Sequence, residues 1–365
     1  MLNFFELQDI VLLPSVVNQG HPGGKVNFEV KDLGDLTGIP NSLPIFASPM
    51  EAIINSGNVK TFINNGIKPV LPGTESLDIR LQYCSWIYCA FSLNEVEDCF
   101  LKNKRRGDRQ FHICIDAGNG HDVGVLNMGL ELRKMYADQV CLMGGNVGIP
   151  EVYKDYSNAG FDYMRVGISS SSVVDKEKYG FHYPMASLLD DIKTYRFSGA
   201  GKGLRPVKVI ADGGINSFSS IVKAIACGAD YVMLGREFAR TIEAAGGIFK
   251  KQKTKDGGKE FVQINPGSIQ GWEGGRAKAE GLQRWYYGNT TNEIRTKRKT
   301  QEDQEAYENG FAGYVVNDST RDWIYIDYSL DEWVDDFKEC AYYAFMMTNS
   351  LTWEEFKKNA KYGTH

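Results

Sequence analysis

Short runs of Val, Ile, Leu and aromatic residues recur along the chain, each followed by a polar or glycine-rich turn and then a helical pattern. These runs read as strands at "PIFASP" (44–49), "IKPVLP" (67–72), "WIYCAFS" (86–92), "FHICIDAG" (111–118), "VCLMGGNV" (140–147), "YMRVGIS" (163–169), "VKVIADGG" (207–214) and "YVMLGRE" (231–237). They are nearly continuous rather than alternating, as expected of strands buried on both faces of a parallel sheet. Helices are expected between them. One starts at Ser92 with Glu95 three residues later, a capping-box pattern. Another, "IPEVYKDYSNAG", has Pro150 near its first turn and Gly160 just past its end. A third, "SFSSIVKAIACG", starts on serines and stops at Gly228. Eight strand–helix units predict an α/β fold, a (β/α)8 TIM barrel, with an open doubly wound sheet as the runner-up.

Two segments stand outside the eight units. Residues 1–43 form an N-terminal extension, and residues 245–325, rich in glycine and charge, form an insertion after the eighth strand. Within the insertion, "KKQKTKDGGKE" (250–260) and "GWEGGRAKAEG" (271–281) read as a lid or flap, with a disordered insertion as the alternative. Residues 330–348, "LDEWVDDFKECAYYAFMMT", predict an amphipathic C-terminal helix that closes the barrel. The whole chain, 1–365, is then one barrel domain, a size such barrels commonly reach.

Composition narrows the partners. A net charge of −5 argues against a nucleic-acid surface, and the basic runs "KNKRR" and "RTKRK" are short enough to be solvated loops. The seven cysteines are odd in number and lack CxxC spacing, so neither a disulfide framework nor a zinc site is expected, and a reducing cytoplasm fits best. The start, "MLNFFELQDIVLLPS", has no basic n-region and carries acids inside its apolar run, unlike a signal peptide. No apolar run approaches the ~18 residues that would span a bilayer, so no membrane partner is expected.

The chemistry is expected at the C-terminal ends of the strands, where such barrels carry their sites. The fourth strand ends in Asp116 and Asn119, the fifth in Gly145 and Asn146, and the sixth in the serine stretch "RVGISSSSVVDK". The seventh ends in Asp212, Gly213 and Gly214, and the eighth in Gly235 and Arg236. Paired glycine turns after the last two strands let backbone N–H groups approach a phosphate, and Arg236 can add charge-assisted bonds. Asp212 beside that turn suits a ribose, whose vicinal hydroxyls a carboxylate can accept. His121 and His182 lie near the same face, where a lone histidine reads more readily as a surface or packing residue.

These residues also carry a resemblance. "IADGGINSFSSIVKAIACGADYVMLGREFAR" resembles the phosphate-binding half of the IMP dehydrogenase/GMP reductase family, and "LMGGNVGIPEVYKDYSNAGFDYMRVGIS" looks like that family's "GNV…AGAD…VGIG" segment. "LQDIVLLPS", "PIFASPMEAI", "GFHYP" and "YYGNTT" (286–291) are similar to further family stretches in the same order, the last to "YxGMxS". No regulatory CBS module fits between the third and fourth strands, which is more like the short GMP reductases. The resemblance implies that Asp212 holds the ribose hydroxyls and that Gly213, Gly214, Gly235, Arg236 and Tyr287 hold the 5′-phosphate. It places Gly288 and Asn289 at the purine edge, and Asp116, Asn146 and Arg165 on the cofactor and catalytic side. Glu308, in "ENG", looks like the acid that helps handle departing ammonia.

The serine stretch departs from the family loop "GIGPGSxCTTR". Gly167, Ile168 and Ser172 match, but Val174 stands where the cysteine belongs and Asp175 where the next threonine does. A valine cannot form a thioether to a purine C2. A serine nucleophile would need a base within hydrogen-bond reach, and Asp175 and Glu308 are the candidates. With "SSSS" in place of "GPGS", the family's monovalent-cation site is also put in doubt. The first expectation is a purine-nucleotide oxidoreductase using NADPH or NADH by non-cysteine chemistry, with Asp175, Glu308 and Ser172 as catalytic candidates. The second is a nucleotide-binding homologue without catalysis, serving as a sensor or partner subunit. The third is a flavin-dependent barrel. The resemblance further implies a homotetramer.

Overall fold

The computed structural model describes residues 4–15, 17, 24–30, 42–103, 110–117, 119–168, 180–198, 203–253, 259–265, 281–286 and 322–364. Among them, eight parallel strands close into a barrel: β2 (Ile45–Ala47), β3 (Lys68–Leu71), β4 (Tyr88–Phe91), β5 (Phe111–Ile115), β6 (Val140–Val147), β7 (Tyr163–Val166), β8 (Lys208–Asp212) and β9 (Tyr231–Leu234). β9 pairs back onto β2, Ile45 with Val232 and Phe46 with Met233, which completes the ring. All eight strands lie within the runs the sequence predicts.

Successive side chains on a strand point to opposite faces. Phe46, Tyr88, Cys114, Tyr163, Ile210 and Tyr231 therefore fill the barrel interior, while Ile45, Ile113, Val209 and Val232 pack outward against helices. Phe46 meets Tyr88, Tyr163 and Tyr231 edge-on, at centroid distances of 6.0, 5.8 and 5.3 Å. Both faces are apolar, which is why the strand runs in the sequence are continuous.

The outer layer comprises α1 (Val59–Asn64), α2 (Leu77–Tyr83), α3 (Leu93–Val96), α4 (Val123–Tyr136), α5 (Val152–Asn158), α6 (Met185–Phe197), α7 (Phe218–Cys227), α8 (Arg236–Ala239), α9 (Leu330–Met347) and α10 (Trp353–Asn359). The Ser92–Glu95 capping box forms, although α3 is only four residues long and continues as a π-helical turn over Glu97–Lys102. Ser217 and Ser220 cap α7, and Gly228 follows its end. The C-terminal helix α9 starts at a Ser329–Glu332 capping box and buries Leu330, Trp333, Val334, Phe337, Ala341 and Phe345 along one stripe. Trp333 is fully buried and meets Phe218 of α7 and Phe238 of α8 at 5.3 and 4.9 Å, so α9 completes the helical layer. Trp333→Ala would remove this packing at a cost of about 3–5 kcal/mol.

Two features go beyond the sequence reading. β1 (Ile10–Leu13), in the N-terminal extension, pairs antiparallel with β14 (Lys361–Thr364), so the two ends of the chain fasten each other. The insertion after β9 carries a four-stranded antiparallel sheet in the order β11 (Lys259–Ile264), β10 (Ile248–Lys253), β12 (Leu282–Tyr286), β13 (Asp322–Tyr325). Arg284, fully buried on β12, donates to the carbonyls of Ala239, Thr241, Ile242, Ala244 and Gly246 at 2.5–3.2 Å. One guanidinium thereby fixes the link between α8 and the sheet. Burial brings it down to about 10, and it has five carbonyl partners in place of solvent.

Candidate active site

The C-terminal ends of β5 to β8 converge on one guanidinium. Arg165 ends β7 and is 8% exposed; its Nε donates to Asp212 Oδ2 at 2.9 Å and its Nη1 to Asp116 Oδ1 at 3.3 Å. Burial alone would disfavour the cation, but Asp212, Cys114 and Asp116 hold it above the usual arginine range. Asn146, at the end of β6, donates through Nδ2 to Asp212 Oδ2 at 3.0 Å and to the Gly167 carbonyl at 3.2 Å. Both bonds to Asp212 fall on Oδ2. Oδ1 accepts from no described side chain. Removing one partner from a buried pair of this kind typically costs about 3–5 kcal/mol, because the other charge is stranded.

Close backbone packing makes this convergence feasible. Gly167 has φ +126°, and a Cβ there would lie 2.4 Å from the Asp212 carbonyl oxygen. The loop after β5 is held onto β6 by Gly120 N donating to Asn146 O at 3.0 Å and onto α5 by the Tyr156 hydroxyl donating to Gly120 O at 2.9 Å. On the same rim, the Gly148 amide donates to His121 Nε2 at 2.9 Å, so that nitrogen carries a lone pair, and burial lowers the ring's pKa from its ordinary value. His121, in the loop after β5, is therefore a neutral imidazole bonded to the loop after β6. Val123 and Ile149 beside it are 67% and 44% exposed, apolar surface facing solvent at the rim.

The two glycine turns lie next to this cluster. Gly213 and Gly214 follow Asp212 with φ +114° and +71°, and the chain then enters α7. Gly235 leads into α8, where Arg236 Nη2 pairs with Asp322 Oδ2 of the four-stranded sheet at 3.0 Å, both side chains partly exposed. Tyr286, the last residue of β12, brings its buried hydroxyl to the same turn. A Cβ on Gly235 would lie 3.0 Å from it, and its hydrogen-bond partner is the weak acceptor Met50 Sδ at 3.7 Å. Burial pushes this phenol above its ordinary range, with Arg236 opposing and Asp212 reinforcing the shift.

The structure thus brings together Asp116, Asn146, Arg165, Asp212, Gly213, Gly214, Gly235 and Arg236. Tyr287, Gly288, Asn289, Ser172, Asp175 and Glu308 lie outside the described residues, as does Val174. Sequence reading overlooked Tyr286, although "YYGNTT" offers its tyrosine at both positions 286 and 287. Cys114 lines the barrel interior, and its Sγ lies 3.7 Å from Arg165 Nη1. Burial pushes this thiol up to about 12 against the pull of Arg165, so it stays protonated at neutral pH. Cys141 is likewise buried inside the barrel. Among the described residues, no group of three or more His, Cys, Asp or Glu is placed to hold a metal ion. No described helix is long and apolar enough to cross a membrane.

A closed (β/α)8 barrel with charged side chains gathered at its strand ends belongs to the class of barrels that handle small-molecule ligands there. Residues 108–271 match the IMP dehydrogenase / GMP reductase domain. The chain is 26% identical over 292 residues to a GMP reductase of Shouchella clausii, covering 77% of this chain and 83% of that protein. It is 28% identical over 301 residues to a GMP reductase of Bacillus subtilis, covering 74% and 87%. A GMP reductase of Streptococcus pneumoniae is 32% identical over 178 residues, about half of each chain. Over these residues the chain is similar to the IMP dehydrogenase/GMP reductase family.

Proposed function

We propose that the chain binds a purine nucleoside 5′-monophosphate at the ends of β8 and β9 and acts on its base as a nicotinamide-dependent oxidoreductase, without a cysteine thiolate. The observation that carries this reading is Asp212, with Oδ2 fixed by Arg165 and Asn146 and Oδ1 left to accept ribose hydroxyls. Gly213, Gly214, Gly235 and Arg236 surround the phosphate in this reading, joined by the hydroxyl of Tyr286 and, from the neighbouring position, Tyr287. Gly288 and Asn289 are assigned to the purine edge.

Arg165 serves the site by holding Asp116 and Asp212 in one geometry. The rim formed by Asn146, His121, Val123 and Ile149 offers apolar surface beside a neutral ring, which fits NADPH or NADH. That cofactor, when bound, supplies or accepts the hydride. The chain's own residues orient the nucleotide and move the proton, with Asp175 and Glu308 as the acids and Ser172 as a hydrogen-bonding group. The relatives carry the name GMP reductase, so GMP is the first substrate to test. A homotetramer is part of the same proposal.

Calorimetric titration tests the binding half. IMP or GMP should bind at least ten-fold more tightly than inosine or guanosine, since one charge-assisted phosphate contact contributes about 1.5–3 kcal/mol. Equal affinity for nucleoside and nucleotide would contradict it. A second reading, nucleotide binding without turnover, is favoured by Val174 together with the protonated Cys114. Absence of NADPH oxidation in the presence of GMP, with tight GMP binding, would select it.

A further inference from the structure

His182 follows the serine stretch and has no place in the nucleotide site, yet its ring joins two distant parts of the chain. Nδ1 lies 3.3 Å from the Ile168 carbonyl oxygen and Nε2 lies 2.5 Å from Glu6 Oε1. The His182 and Glu6 side chains are 15% and 23% exposed, so this is not a solvent-screened surface pair. A carbonyl oxygen and a carboxylate are both acceptors. A neutral imidazole has one N–H and could serve only one of them; the ring satisfies both when each nitrogen carries a proton.

Glu6 is itself anchored. Its Oε2 accepts from the Met185 amide at 3.0 Å, the first residue of α6, whose N-cap is Pro184 and offers no side-chain acceptor. A carboxylate at that helix start is favoured by the helix dipole as well as by the hydrogen bond. The surrounding backbone is tied in both directions: Phe5 N donates to Ser187 Oγ at 2.7 Å and Ser187 N donates to Phe5 O at 3.1 Å. Phe4 packs edge-on against Tyr183 at 4.9 Å. The other acids on these elements have their own partners. Asp9 accepts from the Glu6 amide, Asp191 from the Tyr183 hydroxyl and Asp190 from the Tyr362 hydroxyl.

Ile168 is the residue through which this reaches the site. It follows Gly167, whose carbonyl accepts from Asn146 and whose backbone lies against that of Asp212. The Ile168 side chain also covers Gly148, where an added Cβ would meet Ile168 Cδ1 at 2.9 Å. We propose that Glu6 and a doubly protonated His182 form a positioning pair, which holds Gly167–Ile168 against Asn146 and Asp212 from outside the site. Its consequence for ligand affinity rests on the reading of Asp212 as the ribose acceptor; the state of the ring does not.

The test uses the full chain labelled with 15N and observes the ring nitrogens of its five histidines, with His182→Asn supplying the assignment. Both His182 nitrogens should appear protonated in the wild-type protein, and Glu6→Gln should leave the ring with one lone-pair nitrogen. A lone-pair nitrogen on His182 in the wild-type protein would overturn the pair. In calorimetry at a temperature where every variant is folded, Glu6→Gln and His182→Asn should each weaken IMP binding roughly five-fold, the scale of coupling through a packed network. Lower melting temperatures with unchanged IMP affinity would reduce the pair to a structural tie and refute the positioning role. If wild-type protein binds neither IMP nor GMP, the nucleotide reading falls and the positioning role falls with it, whereas the ring nitrogens still decide whether the ion pair exists.

Discussion

The two ends of the barrel both bury aspartates among cations, and they differ in how the carboxylates are used. At the N-terminal ends of the strands, Asp230 is fully engaged: Oδ2 accepts from Arg196 at 3.0 Å and from Val209 N at 2.9 Å, while Oδ1 accepts from Lys357 at 3.1 Å. Asp162 is the same, with Arg133 and Leu142 N on Oδ2 and Arg205 on Oδ1. At the C-terminal ends, Asp212 has two donors on Oδ2 and none among the described residues on Oδ1. A saturated carboxylate stabilises the fold. A carboxylate held on one oxygen, with no described donor on the other, is the ribose acceptor in the proposed reading. The division follows the general rule that barrel stability resides at one face and chemistry at the other.

The sharpest way to break this comparison is at Asp230. Asp230→Ala strands Arg196 and Lys357 and should lower stability by about 3–5 kcal/mol in urea denaturation, with IMP affinity unchanged in whatever fraction remains folded. A loss of nucleotide affinity there would erase the distinction between the two faces. Asp212→Asn also removes a charge beside buried Arg165 and lowers stability, but unlike Asp230→Ala it should in addition weaken nucleotide binding by about 1.5–3 kcal/mol in calorimetry. Arg236→Ala should cost about ten-fold in affinity for the 5′-monophosphate and little for the nucleoside, since Arg236 pairs with Asp322 at a partly exposed site.

The acid limb of stability offers a smaller effect. Burial alone would raise the Asp230 carboxyl, but Arg196, Lys357 and Lys208 hold it below its ordinary 3.8. A depressed folded value means that this stabilisation is present above the ordinary value and is lost as pH falls through the depressed one. The stability gap between wild type and Asp230→Asn should therefore be constant near neutrality and narrow below about pH 4. A gap that widens in acid would contradict the assignment. The smallest expected effect is from iodoacetamide, which should leave nucleotide binding intact under native conditions. Cys114 is buried with its thiol pushed up to about 12, and Cys141 is buried as well. Loss of binding on alkylation, with Cys114 modified, would reverse that reading.

The same contrast explains what the sequence makes legible. All eight barrel strands are visible because a parallel strand buried on both faces must be apolar throughout, as in "VCLMGGNV" and "YVML". The polar residues that interrupt those runs, Asp116, Asn146, Arg165 and Asp212, therefore stand out, and the fold brings all four together. The insertion hid its strands because charge crowds the apolar positions of "IFKKQK" and "KEFVQI", so that the segment reads as a lid or flap. The "DGG" between them, Asp256 to Gly258, is the hairpin signal that could have corrected this. Other contacts have no local signature. β1 and β14 pair across the length of the chain, and Glu6 caps a helix that begins at Met185. Nothing in the spacing of Asp212 and Arg165 tells which carboxylate oxygen the guanidinium takes, and that choice separates this site from the saturated cluster at Asp230.

The central claim is that the open oxygen of Asp212 receives ribose hydroxyls. Calorimetric titration of wild type and Asp212→Asn with IMP and with its 2′-deoxy analogue tests it most directly. The account predicts that wild type prefers the ribonucleotide and that the substitution removes most of that preference, weakening IMP far more than the deoxy compound. Equal weakening of both ligands, or a wild type that binds them equally, would contradict it.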